Sequence, residues 1–440
     1  MIDIENIKTK LHIEQLSRMQ KDSVDAILHS RKDVIILSPT GSGKTLAYLL
    51  PIIQLINTET DALQVVVIVP GRELALQSST VLQDMKCGVR SLSLYGGRPA
   101  MEEHRQIKKV NPHIVFATPG RLNDHIDKNN ISVKAIKYVV LDEFDKCLEM
   151  GFQNEMNRLF ARLKYIQRRI LLSATRSEQI PDFVNMSQSV VVDYSKNEEQ
   201  VPERISLNVV KSDEKDKLPC LVNLLRSFGS GSTIVFLNFR DSVERVALGL
   251  LEAGFIVSRF HGGMSQPDRE MSLFLFSNGS TNILVSTDLG SRGLDIPEVD
   301  NIVHYHLPVN EEAYIHRVGR SARWAAKGNS FIILNGEEHL PEYLESAPDE
   351  YVLPQNLPTA ILPKMTTVYI GKGKKDKVRK GDIVGFLCKK GGMPLDMIGK
   401  IEVRERYAYV AVNRKKVADM LRKIQNEKIK GMKTVVELLK

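Results

Sequence analysis

Cysteine is scarce in this sequence and nowhere paired. The four are Cys87, Cys147, Cys220 and Cys388. None belongs to a C-x-x-C pair, which argues against a structural zinc site and against a disulfide-stapled scaffold. Long apolar runs are missing too. The most apolar stretch, Leu46 to Ile56, is well short of the roughly 20 residues that cross a bilayer as a helix. The first residues, Met-Ile-Asp-Ile-Glu, lack the basic segment and apolar core of a secretory signal. These absences lead us to expect a protein of the reducing cytoplasm.

The 440 residues are 42% hydrophobic and 26% charged. That is ordinary for a globular chain of two or three domains, so disorder is not the default. Charge is unevenly placed. Residues 365–440 hold 20 Lys and Arg against 8 Asp and Glu, a net of +12, which leaves the remainder at −4. A basic module of this size suits nucleic acid, anionic lipid or an acidic protein, and charge alone fits a solvated surface equally well.

Short apolar runs alternate with helix-like segments. Expected strands are 33–37, 65–69, 113–117, 138–141 and 169–172, then 232–237, 255–260, 282–286, 301–304 and 330–334. Most are continuously apolar, the pattern of parallel strands covered on both faces by crossover helices. Polar residues 193–203 read as a linker, and Pro354, Pro358 and Pro363 mark a second break. Three units are expected: 1–194, 205–353 and 365–440.

Ser38-Pro39-Thr40-Gly41-Ser42-Gly43-Lys44-Thr45 follows the first strand and opens a helix. Glycines there let backbone N–H groups approach phosphate oxygens at a helix N-terminus. Lys44 is placed to reach the β- and γ-phosphates, and the Thr45 hydroxyl to bind Mg2+. Ser38 stands where a strict phosphate loop has glycine. Asp142-Glu143-Phe144-Asp145 follows another strand. Asp142 is then the expected metal ligand and Glu143 the residue that orients or deprotonates water, although such an acidic turn in isolation is more often a helix cap.

With these two motifs in place, the sequence resembles the DEAD-box RNA helicases, which have two RecA-like domains. Further matches occur in the family's order: Pro70 to Ala75, Gly96-Gly97, Thr118 to Arg121, Ser173-Ala174-Thr175, Gln266 with Arg269, Thr287-Asp288, Arg292-Gly293 with Asp295, and His316 to Arg323. Arg317, Arg320 and Arg323 recur every third residue, which on a helical turn gives one face. The resemblance implies that Arg320 and Arg323 reach across an interdomain cleft to the γ-phosphate, that Asp295 contacts the ribose, and that Gln20 reads adenine. It implies that Asp145, Ser173, Thr175, Gln266 and Arg269 couple ATP to RNA. It places Arg72, Gly97, Thr118, Gly120, Arg121 and Thr287 along the RNA backbone, contacts that carry no base sequence. Three departures stand out. Leu16-Ser17 precedes Gln20 where the family has Pro-Thr, Phe144 replaces a small Ala so that its loop must make room for a ring, and Ala322 replaces a Gly.

Residues 365–440 resemble the DbpA-type RNA-binding domain, a variant of the α+β RRM fold. Tyr407 and Tyr409 lie two apart in an alternating strand and so share one face. Such a face can stack bases if exposed; a core pair is the other reading. The basic run Lys372, Lys374, Lys375, Lys377, Arg379 and Lys380 suits phosphates or plain solvation. The resemblance implies a tether for structured ribosomal RNA. The expected whole is an α/β protein that uses ATP and Mg2+ to unwind RNA locally during large ribosomal subunit assembly. A broader-target RNA chaperone, a DNA translocase and an RNA scaffold with weak ATPase activity are the rivals.

Overall fold

The computed structural model describes residues 4–439 apart from 12, 40–41, 98, 175–179, 187, 196–204, 289–298, 320–327 and 345–347. Two compact units emerge, one built on residues 1–200 and one on residues 201–440.

The first unit is a seven-stranded, all-parallel sheet. Its strands are β1 Asp33–Leu37, β2 Val65–Ile68, β3 Ser91–Leu94, β4 Ile114–Ala117, β5 Tyr138–Leu141, β6 Arg168–Ser173 and β7 Ser189–Asp193. They lie in the order β3-β4-β2-β5-β6-β1-β7. Continuous apolarity has the expected cause. Val65 and Val67 of β2 enter a core with the helices Arg18–His29, Lys44–Leu55 and Arg72–Met85, while Val66 and Ile68 enter a second core on the opposite face. Both edge strands escape the sequence reading. β3 alternates Ser with Leu, and β7 leaves Val191 exposed, because an edge has fewer apolar neighbours to satisfy. Asp193, expected to open a linker, ends β7 opposite Leu37.

The second unit contains another seven-stranded parallel sheet: β8 Ile205–Lys211, β9 Thr233–Leu237, β10 Val257–Phe260, β11 Ile283–Thr287, β12 Asn301–His304, β13 Gly328–Leu334 and β14 Asp349–Glu350. The order is β10-β11-β9-β12-β13-β8-β14. Counted from its own first strand, this is the order of the first sheet.

An antiparallel sheet of β15 Met365–Ile370, β16 Ile398–Val403, β17 Ala408–Asn413 and β20 Val436–Leu438 follows, in the order β16-β17-β15-β20, with a small hairpin of β18 Lys428–Ile429 and β19 Met432–Lys433 beside it. Val368, Ile370, Val410 and Val412 pack on the helices Lys380–Lys389 and Val417–Ile424. The proline-marked stretch before it forms no helix but lies against the second sheet's core. Tyr351 stacks edge-on against Phe331 and donates to Ser227 Oγ at 3.2 Å, and Leu353 and Ala360 also pack there. Among the described residues no helix is long and apolar enough to cross a membrane.

Candidate functional site

Parallel strands send all their C-terminal ends to one edge of a sheet, where α/β proteins bind ligands. In the first unit the strand order divides that edge. Neighbours β5, β6 and β1 carry the nucleotide candidates; β3, β4 and β2 carry the RNA candidates.

On the nucleotide half, Gly43 caps the Lys44–Leu55 helix with φ +84°. A Cβ there would sit 2.4 Å from Gln20 Nε2. Glycine is therefore required twice, for its conformation and for the approach of Gln20. Lys44 is buried, and its Nζ donates to the carbonyls of Ser38 (2.7 Å) and Pro39 (3.3 Å). The Ser42 hydroxyl is shielded from solvent and has no hydrogen-bond partner among the described residues. Thr45 is the second residue of the helix.

Gln20 lies beneath this loop. Its Oε1 accepts from the Ser17 N–H at 2.9 Å, and its Nε2 donates to Gly43 O at 3.2 Å. Ser17 and Gln20 form a capping box on the Arg18–His29 helix. Ser17, out of pattern for the family, thus does the N-cap work that a Thr does.

Asp142 directly follows β5 and is 2% exposed. Burial first, then the Glu143 carboxylate, push it up to about 7 against the pull of Lys44. Glu143 adopts a left-handed conformation, φ 50°, ψ 52°, and donates its N–H to Asp142 Oδ1 at 3.0 Å. Such a conformation in a non-glycine residue is a modest strain of the kind found at functional sites. Phe144 corrects an expectation. The loop makes no room for its ring, because the ring turns inward into the core with Leu141, Cys147 and Leu159. Asp145 joins two strand ends: Oδ1 accepts from the Lys146 N–H and Oδ2 from the Ala174 N–H, both at 3.0 Å. The Ser38 N–H in turn donates to Ser173 O at 3.0 Å. The structure therefore brings Gln20, Ser38, Pro39, Ser42, Gly43, Lys44, Thr45, Asp142, Glu143, Asp145 and Ser173 to one half-edge. Thr40, Gly41, Thr175, Asp295, Arg320 and Arg323 lie outside the described residues.

On the other half, Arg72 opens the helix after β2, Gly97 (φ +95°) follows β3, and Thr118 caps the Pro119–Asp127 helix after β4, with Gly120 exposed in its first turn. Arg121 is less available than expected. Its Nε donates to the buried Glu103 Oε2 at 2.6 Å, which His125 Nε2 also meets at 2.8 Å. Burial opposes the charge on Glu103, but the bonds from His125 and Arg121 outweigh it and hold the carboxyl below its usual range. Nothing in the sequence marks this trio, whose members lie up to 22 residues apart.

In the second unit Thr287 ends β11. Arg317 was expected on a basic helical face and is instead 1% exposed. Its guanidinium pairs bidentately with Asp288 (2.5 and 2.7 Å) and donates to Asn238 Oδ1 and His306 O (both 2.7 Å). It clasps the ends of β9, β11 and β12. Gln266 and Arg269 sit on the Gln266–Ser277 helix after β10, where Arg269 covers the Phe260 ring.

The tyrosine pair also needs correction. Tyr407, Tyr409 and Tyr369 cluster on one face, with centroids 5.1–6.0 Å apart. That face is not open: Phe274 packs on Tyr409 at 5.6 Å, and Tyr409 is only 7% exposed. Thr367 receives Asn278 Nδ2 at 2.9 Å, and Arg414 reaches Ser280 O at 3.3 Å. The C-terminal sheet is docked on the Gln266–Ser277 helix and the residues just after it.

Comparison with known proteins agrees with this architecture. Residues 17–183 match the DEAD/DEAH box helicase family, 216–325 the helicase conserved C-terminal domain, and 367–438 the DbpA RNA binding domain. The chain is 33% identical to the ATP-dependent RNA helicase DbpA of Escherichia coli (strain K12), across 97% of this chain and 94% of that protein. It is 32% identical to the ATP-dependent rRNA helicase RRP3 of Coccidioides immitis (strain RS), across 86% and 84%. Among solved structures it resembles Mss116p bound to ssRNA and AMP-PNP (TM-score 0.71, 27% identity, 79% of this chain and 77% of that one). It also resembles S. cerevisiae Dbp5 bound to RNA and ADP BeF3 (TM-score 0.68, 25% identity, 76% and 88%).

Proposed function

Since the chain belongs to the DEAD-box ATP-dependent RNA helicases, with two RecA-like sheets and a DbpA RNA-binding domain, we propose that it couples RNA-stimulated ATP hydrolysis to local duplex unwinding in large ribosomal subunit assembly. The observation that carries the ATPase reading is the convergence of Lys44, Asp142, Glu143 and Asp145 on one half of a parallel-sheet edge.

In this reading the Lys44 ammonium leaves the carbonyls of Ser38 and Pro39 for the β- and γ-phosphates. The unsatisfied Ser42 hydroxyl and the N-terminus of the helix add donors. Glu143 orients the attacking water, and Arg320 and Arg323 balance charge on the γ-phosphate. Gln20 reads adenine beside Gly43, and Asp295 the ribose. Asp142 and Thr45 would hold Mg2+, which would neutralise phosphate charge when bound. The fit is chemical: a buried carboxyl pushed up to about 7 by its surroundings favours a cation beside it. Among the described residues no three His, Cys, Asp or Glu converge on a metal, and nucleotide-bound Mg2+ needs only one or two protein ligands.

RNA contacts run along Arg72, Gly97, Thr118, Gly120, Arg121 and Thr287. For the C-terminal domain, the covered Tyr409 shifts our reading from base stacking to the basic segment Lys372–Lys380, with Tyr407 beside it. A ribosomal target is supported by the DbpA domain match and by relatives named as rRNA helicases. ATP hydrolysis should be stimulated most by large-subunit ribosomal RNA, less by poly(U) and least by single-stranded DNA. Equal stimulation by DNA and RNA would sink the RNA-specific reading.

A further inference from the structure

The Gln266–Ser277 helix is occupied on two sides. Toward its own sheet, Arg269 lies 4.7 Å over the Phe260 ring. Toward the C-terminal sheet, contacts recur at helical spacing. Glu270 accepts from Arg404 Nη1 at 3.3 Å, Phe274 packs on Tyr409, Ser277 Oγ accepts from Lys400 Nζ at 3.0 Å, and Asn278, just past the helix, donates to Thr367. Positions 270, 274, 277 and 278 form one stripe. Gln266 is one turn further along it, and its Nε2 donates to Glu270 Oε1 at 3.2 Å.

Arg404 also belongs to the β16–β17 turn, to which the basic segment is hydrogen-bonded. The Lys374 N–H donates to Arg404 O at 2.8 Å and the Lys375 N–H to Glu405 O at 2.9 Å. A Cβ on Gly373 would come within 2.3 Å of Arg404 O, so this backbone approach depends on glycine. The guanidinium is oriented from its own sheet by Glu402, which accepts from Nε at 2.7 Å. Side-chain exposures of 31% for Arg404 and 19% for Glu270 keep the pair partly shielded from screening.

We infer that Arg404 is a positioning residue that, through Glu270, sets Gln266 and thereby links RNA held by the basic segment to the RNA-responsive helix of the second RecA-like sheet. The inference rests on the RNA-stimulated ATPase reading and on the coupling assignment of Gln266 and Arg269. It gives docking a purpose that a loose tether cannot serve, since a bonded path transmits a displacement and a flexible linker does not.

The test uses the full chain with Arg404→Ala, Glu270→Ala, both together, and the exchanged pair Arg404→Glu with Glu270→Arg. Read out kcat and the RNA KM of ATP hydrolysis with large-subunit ribosomal RNA and with poly(U), nucleotide-free affinity for the same ribosomal RNA, and melting temperature. Each single variant is expected to lower RNA-stimulated kcat by about 3–10-fold, a typical size for coupling between sites. Ribosomal RNA affinity should stay within about twofold, the double alanine variant should lose no more than either single one, and the exchanged pair should recover activity. Unchanged kcat in the single variants overturns the inference. So does a loss of kcat that tracks RNA affinity, which would make Arg404 a direct RNA contact, or one that tracks melting temperature, which would make the pair merely structural. If neither RNA stimulates the unmodified chain, the ATPase reading itself falls; if RNA stimulates it and the variants match the unmodified chain, only the positioning role falls.

Discussion

The two parallel sheets share one strand order, yet only one carries a nucleotide loop. In each, six residues join the first strand to the following helix: Ser-Pro-Thr-Gly-Ser-Gly after β1, and Ser-Asp-Glu-Lys-Asp-Lys after β8. The first loop is rich in glycine and leads to Lys44, whose ammonium donates to the carbonyls of Ser38 and Pro39. The second brings carboxylates that repel phosphate. Its buried lysine, Lys217, is already neutralised by Glu338 (2.8 Å) and bonded to Ile333 O (3.1 Å). After β5 stand Asp142 and Glu143; after β12 stand Tyr305 and His306, the imidazole pushed down to about 4, chiefly by burial. The same scaffold thus carries the candidate phosphate loop in one copy and not in the other, because function lives in loop chemistry and not in topology.

The largest expected break in this comparison is Glu143→Gln. It should lower ATP hydrolysis by about 10²–10³-fold while a fluorescent ATP analogue still binds. Retained turnover would remove Glu143 from its role. Next comes the lysine pair. Lys44→Ala should abolish detectable ATP binding with little change in melting temperature. Lys217→Ala should leave ATP affinity unchanged and cost about 1–3 kcal/mol in stability, discounted because Glu338 is partly exposed. Equal effects at both positions would contradict the asymmetry. Arg317→Lys keeps the charge but loses the fork that holds Asp288 and Asn238. Denaturant unfolding should show about 2 kcal/mol lost. Asp142→Asn tests the stability of the same strand end separately from its catalysis. A carboxyl whose folded pKa is raised to about 7 releases its proton later in the folded state, so stability falls as pH rises from about 4 towards 7. Asparagine removes that cost. Melting temperature of the nucleotide-free chain should therefore rise at pH 8, with a smaller gain at pH 5.

Much of the nucleotide site was legible because its members are local. Gly43, Lys44 and Thr45 are consecutive, as are Asp142 to Asp145, and each group follows an apolar strand that fixes its place on the edge. Glu103 was not legible, since its partners Arg121 and His125 come from another helix. Arg317 read as a solvated base because spacing by three says nothing of which side of a helix faces a core. The tyrosine face failed for a related reason. Alternation put Tyr407 and Tyr409 on one face correctly, but which face meets solvent depends on what packs there. A faint signal did exist: Leu273, Phe274, Leu275 and Phe276 make one turn of the Gln266–Ser277 helix apolar all round, the mark of a turn covered on two sides.

By itself the sequence determined the two β/α series, the candidate catalytic loops and the basic end, because backbone propensity, strand burial and phosphate chemistry act over a few neighbouring residues. Only the tertiary structure decided that the two sheets repeat one topology, that the strand order separates the candidate nucleotide residues from the candidate RNA residues along the first sheet's edge, and that the basic domain is docked through Tyr409, Arg404 and Thr367. Those outcomes depend on contacts between residues far apart in the chain, where complementary shape and paired charge, not local pattern, select the arrangement.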